Sequence, residues 1–93
     1  MRGMSREAYH PKAYLSKIRN VKLGLRARTR ILSILDRHSV DTKGLAREAI
    51  MGYGVALHHL KLLEAEAVVK RKGNKPHVWA PTGVGQRRLV DSL

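Results

Sequence analysis

The feature that most limits the folds open to this chain is Gly52-Tyr53-Gly54, which breaks a long run of helical periodicity in two. Before it, in VDTKGLAREAIMG, Leu45, Ala46, Ala49 and Ile50 share one helical stripe. Asp41 or Thr42 supplies the N-cap, its side-chain oxygen accepting from an orphan backbone N–H. Gly52 stands where a C-cap glycine would end that helix. After the tight turn, VALHHLKLLEAEA resumes the helical period. Beyond Ala67 the period changes from helical to alternating: Val68 to Lys72 and His77 to Ala80 read as two strands of a hairpin. KGNK is the turn between them, with Gly73 and Asn74 able to take positive φ. Pro76 has no N–H to give a ladder, so it belongs at the edge or start of its strand.

Two helices precede this unit. HPKAYLSKIRN reads as a short one, with Pro11 at a first helical position and Tyr14, Leu15 and Ile18 as its apolar stripe. GLRARTRILSILDRH is longer, and Ala27, Ile31, Ile34, Leu35 and His38 fall on one side. Arg26, Arg28 and Arg30 crowd its first turns, where cations oppose the helix dipole, so they are expected to face phosphate. The residues before His10 read as a tail. PTGVGQRRLVDSL closes the chain as a short helix with Thr82 as candidate N-cap, Leu89 and Val90 packing weakly inward and Arg87 and Arg88 outward. The expected division is a basic tail and short helix over residues 1–22 and the main body over 23–93, one globular unit in all.

Charge names the partner class. The 93 residues carry 19 Lys and Arg against 7 Asp and Glu, a net +12 that calls for a polyanion, and nucleic acid is the commonest one. Its distribution is uneven. Met1 to Arg30 holds nine cations and one Glu, Ile31 to Val69 four cations and five carboxylates, and Lys70 to Leu93 six cations and one Asp. Both ends are strongly cationic and the middle is close to neutral.

Other classes recede. With no cysteine there is no disulfide, thiolate nucleophile or thiolate metal site. His58 and His59 are adjacent and point about 100° apart on a helix, which does not suit one tetrahedral ion, and His10, His38 and His77 add no ligand spacing. No phosphate-binding glycine loop is followed by Lys and Ser or Thr, and Glu64 and Glu66, two apart, do not face each other. The reading is therefore a non-enzyme without cofactor or metal. No apolar run approaches the ~20 residues of a membrane span, and MRGMSREAYH lacks the apolar core of a secretory signal, so no membrane partner is expected and the cytoplasm, on nucleoid or ribonucleoprotein, is the default.

The order of helix, helix, turn, helix and basic hairpin, together with Leu45-Ala46, HLKLLEAEAVV (His59 to Val69) and WAPTGVGQ (Trp79 to Gln86), resembles the winged helix-turn-helix of ArsR-like and MarR-like proteins, most closely small archaeal versions, over roughly residues 27 to 89. The resemblance implies a mainly α protein with a small β-hairpin (α+β), an extra N-terminal and a short C-terminal helix, and a nucleic-acid-binding role. It places the helix that starts near Tyr53 in the groove and the wing, Lys70 to Lys75, on the backbone. Two departures weaken a sensor role and a dimer: ArsR-type sensors bind metals through cysteines or clusters of His, Asp and Glu and this chain has no cysteine, and the terminal helix is short.

At about 100° per residue, Ala56, Leu60, Leu63 and Ala67 form the core line of the groove helix, with His59 beside it. The outer side offers Tyr53, Val55, His58 and Lys61, few of the Arg, Asn or Gln side chains that read base edges in pairs. Trp79 is expected to cover the core beneath the wing rather than stack on a base. Phosphate contacts are expected from Arg19, Lys22, Arg26, Arg28, Arg30, Lys70, Arg71, Lys72, Lys75, Arg87 and Arg88. The leading reading is double-stranded DNA binding, with RNA second, in a transcriptional regulator. The alternative is an accessory subunit of a DNA polymerase, RNA polymerase or ribosome, which would use Leu57 and Leu62 as an exposed apolar contact for a protein partner.

Overall fold

The computed structural model describes residues 8–16 and 19–83. In chain order these form a 3-10 turn, Pro11–Ala13, then α1, Lys22–Leu35, α2, Thr42–Ala49, α3, Tyr53–Ala65, and two strands, β1, Val69–Lys72, and β2, Val78–Pro81. Ile31, Leu32 and Leu35 of α1, Leu45 and Ala49 of α2, Leu60 and Leu63 of α3, and Val69 and Trp79 of the hairpin close one core. The strands pair antiparallel, with Arg71 opposite Trp79 and Lys70 opposite Ala80. A single bridge joins Trp79 to Val40, so the α1–α2 loop forms a one-residue third strand. Three helices closed by a hairpin whose strands pack on the first and third make the winged helix-turn-helix arrangement.

α2 starts as its sequence dictates: Asp41 is the N-cap, and its carboxylate accepts from the N–H of Gly44 at 2.8 Å. A Cβ on Gly44 would sit 2.7 Å from Val40 Cγ2 and 3.0 Å from that capping oxygen, so the glycine lets the cap close. Thr42, the other cap candidate, instead accepts from the indole N–H of Trp79 at 2.8 Å.

The ends of α2 and α3 overturn two readings of the sequence. Gly52 does not cap α2; its φ is −65° and it is the N-cap of α3. The left-handed residue is Ile50, at φ 54° and ψ 56°. Its N–H bonds the carbonyl of Arg47, and Met51 N–H bonds that of Ala46, the paired bonds of a Schellman motif. α3 ends the same way on Ala67, φ 61°, with Ala67 N–H to Glu64 O and Val68 N–H to Leu63 O. Ala67 therefore leaves the core line of α3 and is exposed. Both helices stop on residues that crowd Cβ against the backbone, at a cost of roughly 1–2 kcal/mol each. In the hairpin turn Gly73 takes positive φ, at 79°, and Asn74 does not.

The N-terminal segment also departs from expectation. After the 3-10 turn, Tyr14 is extended, at φ −79° and ψ 131°, so no α-helix continues through Tyr14 and Leu15. The cause is Asn20: its side-chain oxygen accepts from Leu15 N–H at 2.7 Å and its amide donates to Leu15 O at 2.9 Å, as a strand neighbour would. Ala13 and Leu15 are buried in the common core, whereas Tyr14 is exposed. Ile18, the third member of the expected stripe, lies outside the described residues, as do the tail before Ala8 and the expected helix with Arg87, Arg88, Leu89 and Val90. α1 runs from Lys22, earlier than expected, and His38 is exposed beyond its end. Among the described residues no helix is long and apolar enough to cross a membrane.

The left-handed alanine gives a test of this helix end. Ala67→Gly should raise stability by up to about 1 kcal/mol, read as a higher urea midpoint at unchanged m-value, because glycine carries no Cβ penalty at φ 61°.

Candidate nucleic-acid interface

The turn between α2 and α3 and the outer side of α3 form one surface. Its centre is Gly54, His58, Lys61 and Ala65, opposite the buried line of Ala56, Leu60 and Leu63. His58 packs edge-on to His59, ring centroids 5.1 Å apart. Tyr53 is 56% exposed and Val55 49%. Leu57 and Leu62 are not the exposed pair the sequence suggested: both are half-buried and pack against the core. For Leu57 the wing contributes, since it lines one cleft with Arg71 and Trp79, a neighbour not visible in a helical wheel.

The wing is fixed to α3 through one cation. Arg71 donates from Nε to Glu64 Oε2 at 3.0 Å and from Nη2 to Oε1 at 3.3 Å. Its guanidinium lies 5.4 Å from the centroid of Trp79, which is only 1% exposed, so the indole is core and offers no face to a base. Strand alternation puts Lys70 and Lys72 on the face away from Arg71 and Trp79, and both are exposed with Lys75 at the tip. Between the start of α2, the flank of α3 and this tip runs a cleft of about 450 Å³, with Lys43, Tyr53, Lys61, Arg71 and His77 around it and Leu57 and Trp79 at its base.

The arginines of α1 sit differently from expectation. Because α1 begins at Lys22, Arg26, Arg28 and Arg30 lie in its second and third turns, away from the positive end of the dipole. Arg28 is 3% exposed and faces no external phosphate. It donates from Nε to Ala13 O at 2.6 Å, from Nη2 to Asn20 Oδ1 at 3.1 Å and from Nη1 to His59 Nδ1 at 3.3 Å, tying the N-terminal segment to α1 and α3. Arg30 is exposed but donates to Ala49 O at 2.9 Å, a cation placed favourably at the C-terminus of α2. Arg26 is exposed beside a second open cleft shared with Arg30 and Ser33, and Arg19 and Lys22 are exposed at the entry to α1.

Burial lowers the pKa of Arg28, with Glu66 acting in the other direction, and the guanidinium stays charged. His59 is pushed down from 6.5 to about 4, first by burial, then by Arg28 and His58. The ring is therefore neutral near pH 7, with Nδ1 accepting from Arg28. Among the described residues, no group of three or more His, Asp or Glu could hold a metal ion.

The carboxylates decide where positive potential is left. Asp36 accepts from His10 at 2.8 Å, Asp41 caps α2, Glu48 accepts from His38 at 3.0 Å, Glu64 holds Arg71, and Glu66 accepts from the N–H and hydroxyl of Ser16. Each described carboxylate is engaged within its own chain. Lys43 and Arg47, four apart on the outer side of α2, and Lys61 on α3 are exposed and make no ion pair among the described residues. Sequence reasoning passed over Lys43 and Arg47 because they lie in the nearly neutral middle of the chain.

The class these features define is a winged helix-turn-helix domain with its positive charge around the turn, the third helix and the wing. No family model matches the sequence, and the search of curated proteins finds no match. Among solved structures the chain is similar to a MarR family transcriptional regulator from Silicibacter pomeroyi DSS, at 20% identity and a TM-score of 0.62, over 70% of this chain and 45% of that one. The chain thus spans less than half the length of that regulator, and the likeness is one of fold.

Two outcomes test these roles. Arg28→Met should destabilise the protein by roughly 1–3 kcal/mol through the acceptors it strands at Ala13 and Asn20, while leaving the salt dependence of any polyanion binding unchanged. For His59 the folded pKa of about 4 lies below the ordinary 6.5, so the unfolded chain binds the extra proton between them. The stability it contributes is complete above about pH 6.5 and is lost as pH falls toward 4. His59→Gln should flatten the stability–pH curve in that window by about one proton in urea titrations.

Proposed function

We propose that this protein binds double-stranded DNA without catalysing a reaction, and that it regulates transcription by occupying that DNA. α3 lies in the major groove, while α2 and the wing hold phosphates on either side. The observation that carries this reading is the imbalance of charge around α3: the described carboxylates are engaged internally, while Lys43, Arg47, Lys61, Lys70, Lys72 and Lys75 are exposed without an acidic partner among the described residues. Phosphate contacts position a protein without reading sequence, and they release counterions. The cleft between α3 and the wing is open and cationic, as a passing phosphodiester strand requires, and its Tyr53 hydroxyl and His77 add polar groups. The regulator of similar fold is in keeping with this reading. The accessory-subunit alternative stood on Leu57 and Leu62 as an exposed pair, and their packing against the core removes that support.

Fluorescence anisotropy with labelled duplex across a salt series checks this. With about six phosphates contacted, log K should fall with log salt at a slope of roughly −5, and Lys43→Gln and Lys61→Gln should each make it shallower by about 0.9. A slope near zero removes the duplex reading. A structured RNA that competes better than duplex DNA of equal length replaces DNA by RNA.

A further inference from the structure

The apolar residues around the start of α3 lie outside the core cluster. Ile50 is 85% exposed and sits at φ 54°, a backbone conformation that a β-branched side chain adopts rarely and against steric crowding. Burial does not offset that crowding, and the Schellman bonds around it are backbone bonds that glycine would make equally well. Within the next five residues come Tyr53 and Val55, about half exposed, and Gly54, where an added Cβ would meet nothing within 4 Å. The turn and first turn of α3 thus present apolar groups around a bare stretch of backbone that a partner can approach closely.

The surroundings indicate what covers them. Lys43 and Arg47 on the outer side of α2 and Lys61 on α3 are exposed and make no ion pair among the described residues, and among those residues the one carboxylate lining the cleft that Tyr53 shares is Asp41, the N-cap of α2. A matching partner is apolar in small spots and densely anionic at its margins. The major groove of A·T-containing DNA has that character: the C5-methyl of thymine projects into it between two rows of phosphates. Ile50 and Val55 have no side-chain donor or acceptor for a base edge, and a methyl group is the one major-groove feature they can recognise.

We infer that Ile50, Tyr53 and Val55 read the C5-methyl groups of thymine in the major groove, so that this protein prefers thymine-bearing duplex through apolar contact rather than base-edge hydrogen bonds. The inference rests on the duplex reading above and adds the chemical feature that is read.

The test compares binding of the full chain to the alternating duplexes poly(dA-dT) and poly(dA-dU), which differ by that methyl, across a salt series. Thymine polymer should bind tighter by about fourfold for each methyl contacted. Ile50→Gly and Val55→Ala should each bring the ratio of the two affinities toward one without changing the salt slope. Ile50→Gly should also melt no lower than the parent, because the glycine relieves the positive φ. Equal binding of both polymers with the salt slope intact overturns the methyl reading, leaves the duplex reading standing and turns the patch into a candidate protein contact. A thymine preference that survives both substitutions overturns it as well, since polymer shape then carries the preference. Absence of salt-dependent binding to either polymer removes both readings together.

Discussion

The structure depends on how Trp79 is held. Its indole is buried under the wing, its side-chain N–H bonds Thr42 at the start of α2, its backbone N–H bonds Val40 O at 2.8 Å, and Arg71 lies over its ring while gripping Glu64 of α3. A two-stranded hairpin is marginal alone in water. Here Trp79 attaches it to the α1–α2 loop and to α2, and Arg71 attaches it to α3. That attachment sets the distance between wing and third helix, and therefore the width of the cationic cleft between them.

Electrostatics follow from the same economy of partners. Summed along the chain, residues 31–69 look neutral. In the fold their carboxylates are taken up by caps and by partners as distant as His10 and Ser16, and their lysines and arginines make no ion pair among the described residues. The reverse happens to Arg28, which belongs to the most cationic third of the sequence yet is buried among backbone and side-chain acceptors. Exposed charge, not formal charge, sets the field that a polyanion meets.

The apolar surface shows a similar exchange. Leu57 and Leu62, which a wheel places toward solvent, are covered by neighbours, whereas Ile50, on the expected buried stripe of α2, is outside it and largely exposed. The left-handed turn at Ile50 redirects the chain by ending α2 a few residues earlier than Gly52 would have done. Glycine is the usual signal for such a turn, so its use on isoleucine left no trace in composition or spacing.

By itself the sequence determined three helices with their buried lines at Ile31, Leu45 and Leu60, a basic hairpin after Ala67, the capping role open to Asp41 and a large excess of positive charge. These are local: periods of 3.6 and 2, caps three residues long and a net charge can all be read within a short window. The tertiary structure alone decided which cations face outward, which leucines are covered, that Asn20 holds Leu15 as a strand would, and that Arg28 and His59 meet in the interior. Those outcomes join residues 5 to 50 positions apart, and a side chain's availability depends on partners that only folding brings to it.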